Sequence, residues 1–215
     1  MPRIAKLDRL LSVLRERIFL RTGIVVPLRY RQAGNGERDR AALEDRSGWI
    51  DVYQNLVWGE PDGYFWFGGA VTLPHELAGK PVFGRVEAQF GSVMGRSDPQ
   101  LLVRINGRIA SGGDGNHREF RITSKAAGGE TIDILIEAGT IENRRQLGFA
   151  VEIVTLDRLA EIVYYDLKVP LDVARLLKPD DARRARLLRH IDEAIDLIDL
   201  RPGNPERFAA SLEAA

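Results

Sequence analysis

The feature that most constrains this chain is a change of hydrophobic period that happens twice. Ile4, Leu7, Leu11, Leu14 and Ile18 fall at three- and four-residue steps, with Arg3, Lys6, Arg9 and Arg15 among them, and predict an amphipathic helix over 4–18. From about Trp49 to Val154 the period becomes two. Val82, Gly84, Val86, Ala88 and Phe90 alternate with Phe83, Arg85, Glu87 and Gln89. Leu101/Val103/Ile105, Phe120/Ile122, Ile132/Ile134/Ile136 and Leu147/Phe149/Val151/Ile153 repeat the pattern. Antiparallel strands with one buried face give this signature. After Leu156 the helical period returns, with Leu159, Val163, Leu167, Leu171 and Ala174 on one face.

Punctuation between these runs supports the division. Asn106-Gly107 predicts a two-residue hairpin, because both turn positions need positive φ. Residues 31–48 (RQAGNGERDRAALEDRSG) are polar and aperiodic, and read as a connecting loop. Pro170 predicts a kink or a break in the helix after Leu156. Lys178-Pro179-Asp180-Asp181 ends that helix and opens another, whose stripe is Leu188, Ile191, Ile195 and Ile198. Arg201-Pro202-Gly203-Asn204-Pro205 stops this one, and a last helix begins near Glu206. The alanine-rich end carries no stop signal and reads as cut from a longer protein. Short strands with no interleaved helices point to a mainly β sandwich or jelly roll, with an N-terminal helix and a C-terminal helical hairpin. The expected segments are 1–48, helix and polar loop; 49–155, the sandwich; and 156–215, a helical linker.

Composition removes several function classes. Lysine plus arginine and aspartate plus glutamate each total 31, so the chain lacks the excess positive charge of a nucleic-acid binder. The absence of cysteine excludes a disulfide framework and thiolate metal sites. No apolar run approaches membrane-spanning length, and MPRIAKLDRLL is too charged for a secretory signal. A cytoplasmic soluble protein is expected.

No complete catalytic constellation is visible. His75, His117 and His190 are far apart, with no HxH or HExxH spacing, so no metal ligands are assigned. Gly112-Gly113-Asp114-Gly115-Asn116-His117 lies between two strands. It reads either as a tight loop whose Asp114 and Asn116 satisfy backbone amides, or as a small-ligand or calcium loop. Asp114 with His117 has the composition of an acid–base pair, but nothing supplies a nucleophile. Trp49, Trp58, Tyr64, Phe65, Trp66 and Phe67 are either core or a stacking platform for sugars. Trp58, Trp66, Asp114 and His117 are therefore the candidate ligand-binding residues. Asp133 with Glu137 and Asp180 with Asp181 read as solvated charges and helix caps.

Several stretches, taken in order, resemble the N-terminal ancillary domain of cytosolic-type glycoside hydrolase family 38 α-mannosidases. They are Trp58-Gly59, Tyr64-Phe65-Trp66-Phe67, Leu73-Pro74, Glu76 to Val82 (ELAGKPV), Val103 to Gly107 (VRING) and Gly113 to Phe120 (GDGNHREF). The likeness continues through Gly129-Glu130-Thr131 and the strand to Glu137, then Tyr164-Tyr165-Asp166-Leu167, Arg183 to Leu200, and Phe208-Ala209-Ala210-Ser211. It covers roughly residues 50–215. The resemblance implies a galactose-binding-like jelly roll joined by a helical linker to a catalytic barrel. In that family a zinc site, opened by a His-x-His-x-Asp motif, lies beyond the last helix seen here, and no zinc ligand or nucleophile maps onto this sequence. The implied role is non-catalytic: packing against the catalytic domain of the same polypeptide, and homo-oligomer assembly, in an enzyme of mannose metabolism. An autonomous carbohydrate-binding module, with mannosides as ligands, is the alternative.

Overall fold

The computed structural model describes residues 2–33, 45–53, 55–93, 96–141, 146–201 and 203–215. The chain divides into two compact units, residues 21–155 and residues 1–20 with 156–215.

The first unit is built from strands. They are β1 (Phe19–Val25), β2 (Leu28–Ala33), β3 (Ile50–Asp51), β4 (Val57–Trp58), β5 (Gly63–Thr72), β6 (Val82–Ala88) and β7 (Gly91–Val93), followed by β8 (Arg96–Asp98), β9 (Gln100–Ile105), β10 (Arg108–Gly113), β11 (Glu119–Thr123), β12 (Thr131–Thr140), β13 (Gln146–Leu147) and β14 (Phe149–Leu156). Two antiparallel sheets, ordered β1-β14-β6-β11 and β10-β9-β12-β5-β2-β3, make a β-sandwich. One continuous core lies between them. Val82, Val86, Phe120, Phe149, Val151 and Ile153 from one sheet meet Phe65, Phe67, Val103, Ile134 and Ile136 from the other. These are the residues that the period-two reading places on a single face.

At the centre, Phe67 stacks on Phe149 with ring centroids 3.7 Å apart, and Trp58 meets both rings edge-on at 4.9 and 5.5 Å. The Trp58 indole N–H donates to the Gly148 carbonyl at 3.0 Å, so its one polar group is satisfied inside the core. The hairpin at Asn106-Gly107 has φ of 49° and 76°, with Arg108 paired to Ile105, as the two-residue turn requires. Asn106 also accepts from the Asp133 N–H, which ties the turn to β12.

The second unit contains α1 (Pro2–Glu16), α2 (Arg158–Leu176), α3 (Ala182–Ile195) and α4 (Pro205–Ala214). Leu7, Leu11 and Leu14 of α1 share one core with Leu167 and Leu171 of α2, Leu188, Ile191 and Ile195 of α3, and Phe208 and Leu212 of α4. The N-terminal helix thus completes the C-terminal hairpin instead of standing as a separate lead-in. Lys6 reaches Asp192 and Asp196 at 3.1 and 3.2 Å, and Arg3 reaches Asp192 at 2.8 Å, along the rim of that core. Asp157 caps α2 by accepting from the Ala160 N–H. Asp181 caps α3, and its hydrogen bonds to the Arg183 side chain and N–H hold its carboxyl down at about 2.

Two expectations are corrected. Of the kink or break expected at Pro170, the break does not occur, since α2 runs through it. The missing N–H and the ring clash cost about 3 kcal/mol. Burial of Val163, Tyr164 and Leu167 before the proline, and of Leu171 and Ala174 after it, outweighs that cost. Residues 19–33, assigned to a helix-and-loop lead-in, form β1 and β2 instead. Residues 31–33 of the expected polar loop end β2, and 34–44 lie outside the described residues.

Phe67 is fully buried, so Phe67→Ala removes the stack with Phe149 and opens a cavity. Urea denaturation should show a loss of about 3–5 kcal/mol in the sandwich transition.

Candidate functional site

The four residues singled out as ligand-binding do not converge. Trp58 lies in the inter-sheet core, 3% exposed. Trp66 is 2% exposed and lies on the outer face of the six-stranded sheet, in a small separate cluster with Trp49 and Leu135. Alternation along β5 places it opposite Phe65 and Phe67, and both sets are buried. Arg31 and Arg46 lie over the Trp49 ring, each 5.7 Å from its centroid. Arg46 also forms a two-pronged bond to Asp133 at 2.7 and 3.0 Å. Neither Trp58 nor Trp66 presents a ring face to a sugar.

Asp114 and His117 do meet, within a turn that continues β10. The Asp114 Oδ1 accepts from the Asn116 N–H at 2.8 Å and the His117 N–H at 2.9 Å, and lies 3.0 Å from His117 Nδ1. Backbone bonds between Asp114 and His117 close the same turn in both directions. The amide of Asn116, then the ring and amide of His117, hold the Asp114 carboxyl below the usual carboxylate range. A carboxylate with one oxygen committed to two amides braces the loop and keeps its charge. This is the first of the two sequence readings, with Asp114 in the bracing role.

Each histidine has its own local setting. His75 packs beside Gly128 and Gly129, and His190 lies 3.3 Å from Glu193. Among the described residues no three histidine, aspartate or glutamate side chains form a group able to hold a metal ion. Among them, too, no helix is long and apolar enough to cross a membrane.

The helical face after Leu156, the first candidate on sequence grounds for an apolar docking surface, lies on α2. Opposite its buried stripe, Ile162, Tyr165, Val169, Val173 and Leu176 follow each other at steps of three and four residues. All five are exposed, Leu176 to 87% and Val169 to 57%. The row extends over about 20 Å at 1.5 Å per residue. Tyr165 packs edge-on against Tyr164 at 5.1 Å, which fixes its ring on the helix surface. The signal in the sequence is that α2 carries apolar residues on two faces, whereas α3 carries them on one.

No family model and no curated protein matches the chain. Among solved structures, it is similar to a putative β-galactosidase from Bacteroides fragilis, at 19% identity and a TM-score of 0.44 over 62% of this chain. A β-glucuronidase from Faecalibacterium prausnitzii aligns at 16% identity and a TM-score of 0.46 over 65%. The chain spans 23% and 31% of the length of those two proteins.

Asp114→Ala should remove the side-chain acceptor of the Asn116 and His117 amides, each bond being worth about 1 kcal/mol, while the His117 N–H keeps its bond to the residue-114 carbonyl. Hydrogen exchange of the Asn116 amide then accelerates roughly fivefold or more. In the parent sequence the brace is fully present above the unfolded aspartate value of about 3.9. It is lost as pH falls through the depressed folded value, which an NMR titration of the Asp114 carboxyl carbon measures directly.

Proposed function

We propose that this chain is a non-catalytic ancillary domain of a zinc-dependent retaining α-mannosidase, serving packing and subunit assembly while hydrolysis belongs to another domain. The observation that carries the docking role is the exposed apolar row on α2. A folded helical unit that buries one stripe and leaves a second apolar stripe in water has a surface suited to a partner. The assignment to mannosidases rests on the ordered resemblance from Trp58 to Ser211. Zinc would be held by the catalytic domain in such an enzyme; among the described residues no three histidine, aspartate or glutamate side chains are grouped to hold a metal ion. A cytoplasmic homo-oligomer is part of the same reading. Burial of Trp58 and Trp66 removes the stacking faces on which the alternative of a carbohydrate-binding module was first argued.

The test is the double substitution Val169→Glu and Val173→Glu. Both side chains are exposed, so this chain alone should keep its stability to within about 0.5 kcal/mol per site. Docking would forfeit about 1.5 kcal/mol or more for each valine no longer buried. Association with the catalytic portion of the parent polypeptide, followed by calorimetry, should weaken at least about tenfold. α-Mannosidase activity of the assembled protein on p-nitrophenyl α-mannoside should fall with it. Unchanged association and activity would sink the proposal, as would hydrolysis of that substrate by residues 1–215 alone.

A further inference from the structure

The outer face of the six-stranded sheet contains a depression of about 280 Å³ where β5, β9 and β12 run side by side. Its construction follows from the pleat. Alternate β12 residues Asp133, Leu135, Glu137 and Gly139 point away from the inter-sheet core. Gly139 pairs with Tyr64 of β5 on one side and Gln100 of β9 on the other. It contributes no side chain, so the ladder has a gap one residue wide. The Tyr64 ring borders that gap, 3.7 Å from where a Cβ on Gly139 would lie. Glu137 and Asp62 complete the polar wall.

Two observations separate this hollow from an ordinary dent. Its rim is built: the buried Thr140 hydroxyl donates to the Glu60 carbonyl at 2.6 Å and accepts from the Glu60 N–H at 3.3 Å. The Gly63 N–H donates to the same Glu60 carbonyl, so the turn that carries Asp62 is fixed to the end of β12. Its polar groups are also uncommitted. Among the described residues, the side chains of Asp62, Tyr64, Gln100 and Glu137 have no hydrogen-bond or ion-pair partner. On the same face, by contrast, Asp133 is bound by Arg46 and Asp51 by Arg29. Three free polar side chains, the Tyr64 ring with its hydroxyl and a bare backbone floor make a convergent site.

The geometry points to a binding site for a single neutral pyranose ring, with its CH face against Tyr64 and its hydroxyls directed to Glu137, Asp62 and Gln100. Carboxylates accept hydrogen bonds from hydroxyls, and the amide both donates and accepts, which matches a ring of alternating alcohols. Two carboxylates repel an anion, so a sugar acid is rejected. The size is at the small end of ligand pockets, which start near about 300 Å³. This inference is independent of the docking role assigned to α2 and concerns none of the four residues first suspected.

The experiment is ¹⁵N–¹H NMR of residues 1–215 titrated separately with methyl α-D-mannopyranoside, methyl β-D-glucopyranoside, sodium glucuronate and N-acetyl-argininamide. At least one neutral glycoside should shift the amides of Tyr64, Leu101 and Gly139 saturably, with a Kd of about 1 mM. Glucuronate should bind at least about tenfold more weakly. Tyr64→Ala and Glu137→Gln should each weaken binding about fivefold or more. Gly139→Ala meets only ordinary contact distances, so it should leave the Ile134 and Ile136 amides in place while filling the floor and abolishing the shifts. The proposal is overturned by flat titrations with both neutral glycosides, or by shifts that Gly139→Ala leaves intact. Tighter binding of argininamide than of either glycoside would overturn it too, assigning the hollow to a cationic side chain.

Discussion

The sandwich depends on one contact, the stack of Phe67 on Phe149 with the Trp58 ring set edge-on to both. Phe67 belongs to the six-stranded sheet and Phe149 to the four-stranded one, so this cluster is where the two faces are joined. Its consequence for function is indirect but strict. Because β5 and β12 are fixed inward by Phe67, Ile134 and Ile136, their alternate residues must point outward, and the outward row is what forms the outer face. A one-residue slip of β12 would bury Glu137 and expose Ile136. The Tyr64–Gly139–Gln100 row therefore exists in its register because the aromatic core sets it.

The sequence made much of this architecture legible, for physical reasons that can be named. The hairpin at Asn106-Gly107 is a local demand of backbone conformation, and nothing distant can override it. β6, β9, β11, β12 and β14 carry the period-two signal because each turns one face to the inter-sheet core. β1 and β2 lacked that signal: β1 is mostly exposed or half-buried along its length, and β2 carries Arg29 and Arg31. Pro170 does not end its helix, since packing on both sides of it exceeds a local penalty.

Sites were less legible than folds. Tryptophans are equally suited to a core and to a sugar platform, and only the two separate clusters show that Trp58 and Trp66 are both core. Asp114 and His117 are three residues apart, so their pairing was within reach of the sequence. The hollow beside Gly139 was not, because it depends on what a glycine omits and on which residues stand beside it once three strands are in register. The joining of α1 to α2, α3 and α4 is also non-local, with about 140 residues between the two halves of one core. Each half shows an amphipathic stripe, but neither names its mate.

The exposed row on α2 is where the account of function is most open to direct test. Hydrogen-exchange mass spectrometry on residues 1–215, and on the same residues joined to the catalytic domain that the proposal requires, compares that helix with and without its proposed partner. If Ile162, Tyr165, Val169, Val173 and Leu176 are covered by a catalytic domain, peptides spanning 162–176 exchange at least about tenfold more slowly in the joined form, while those of the Asn106-Gly107 hairpin are unchanged. Equal exchange across 162–176 in both would contradict the docking role and leave the row as bare surface.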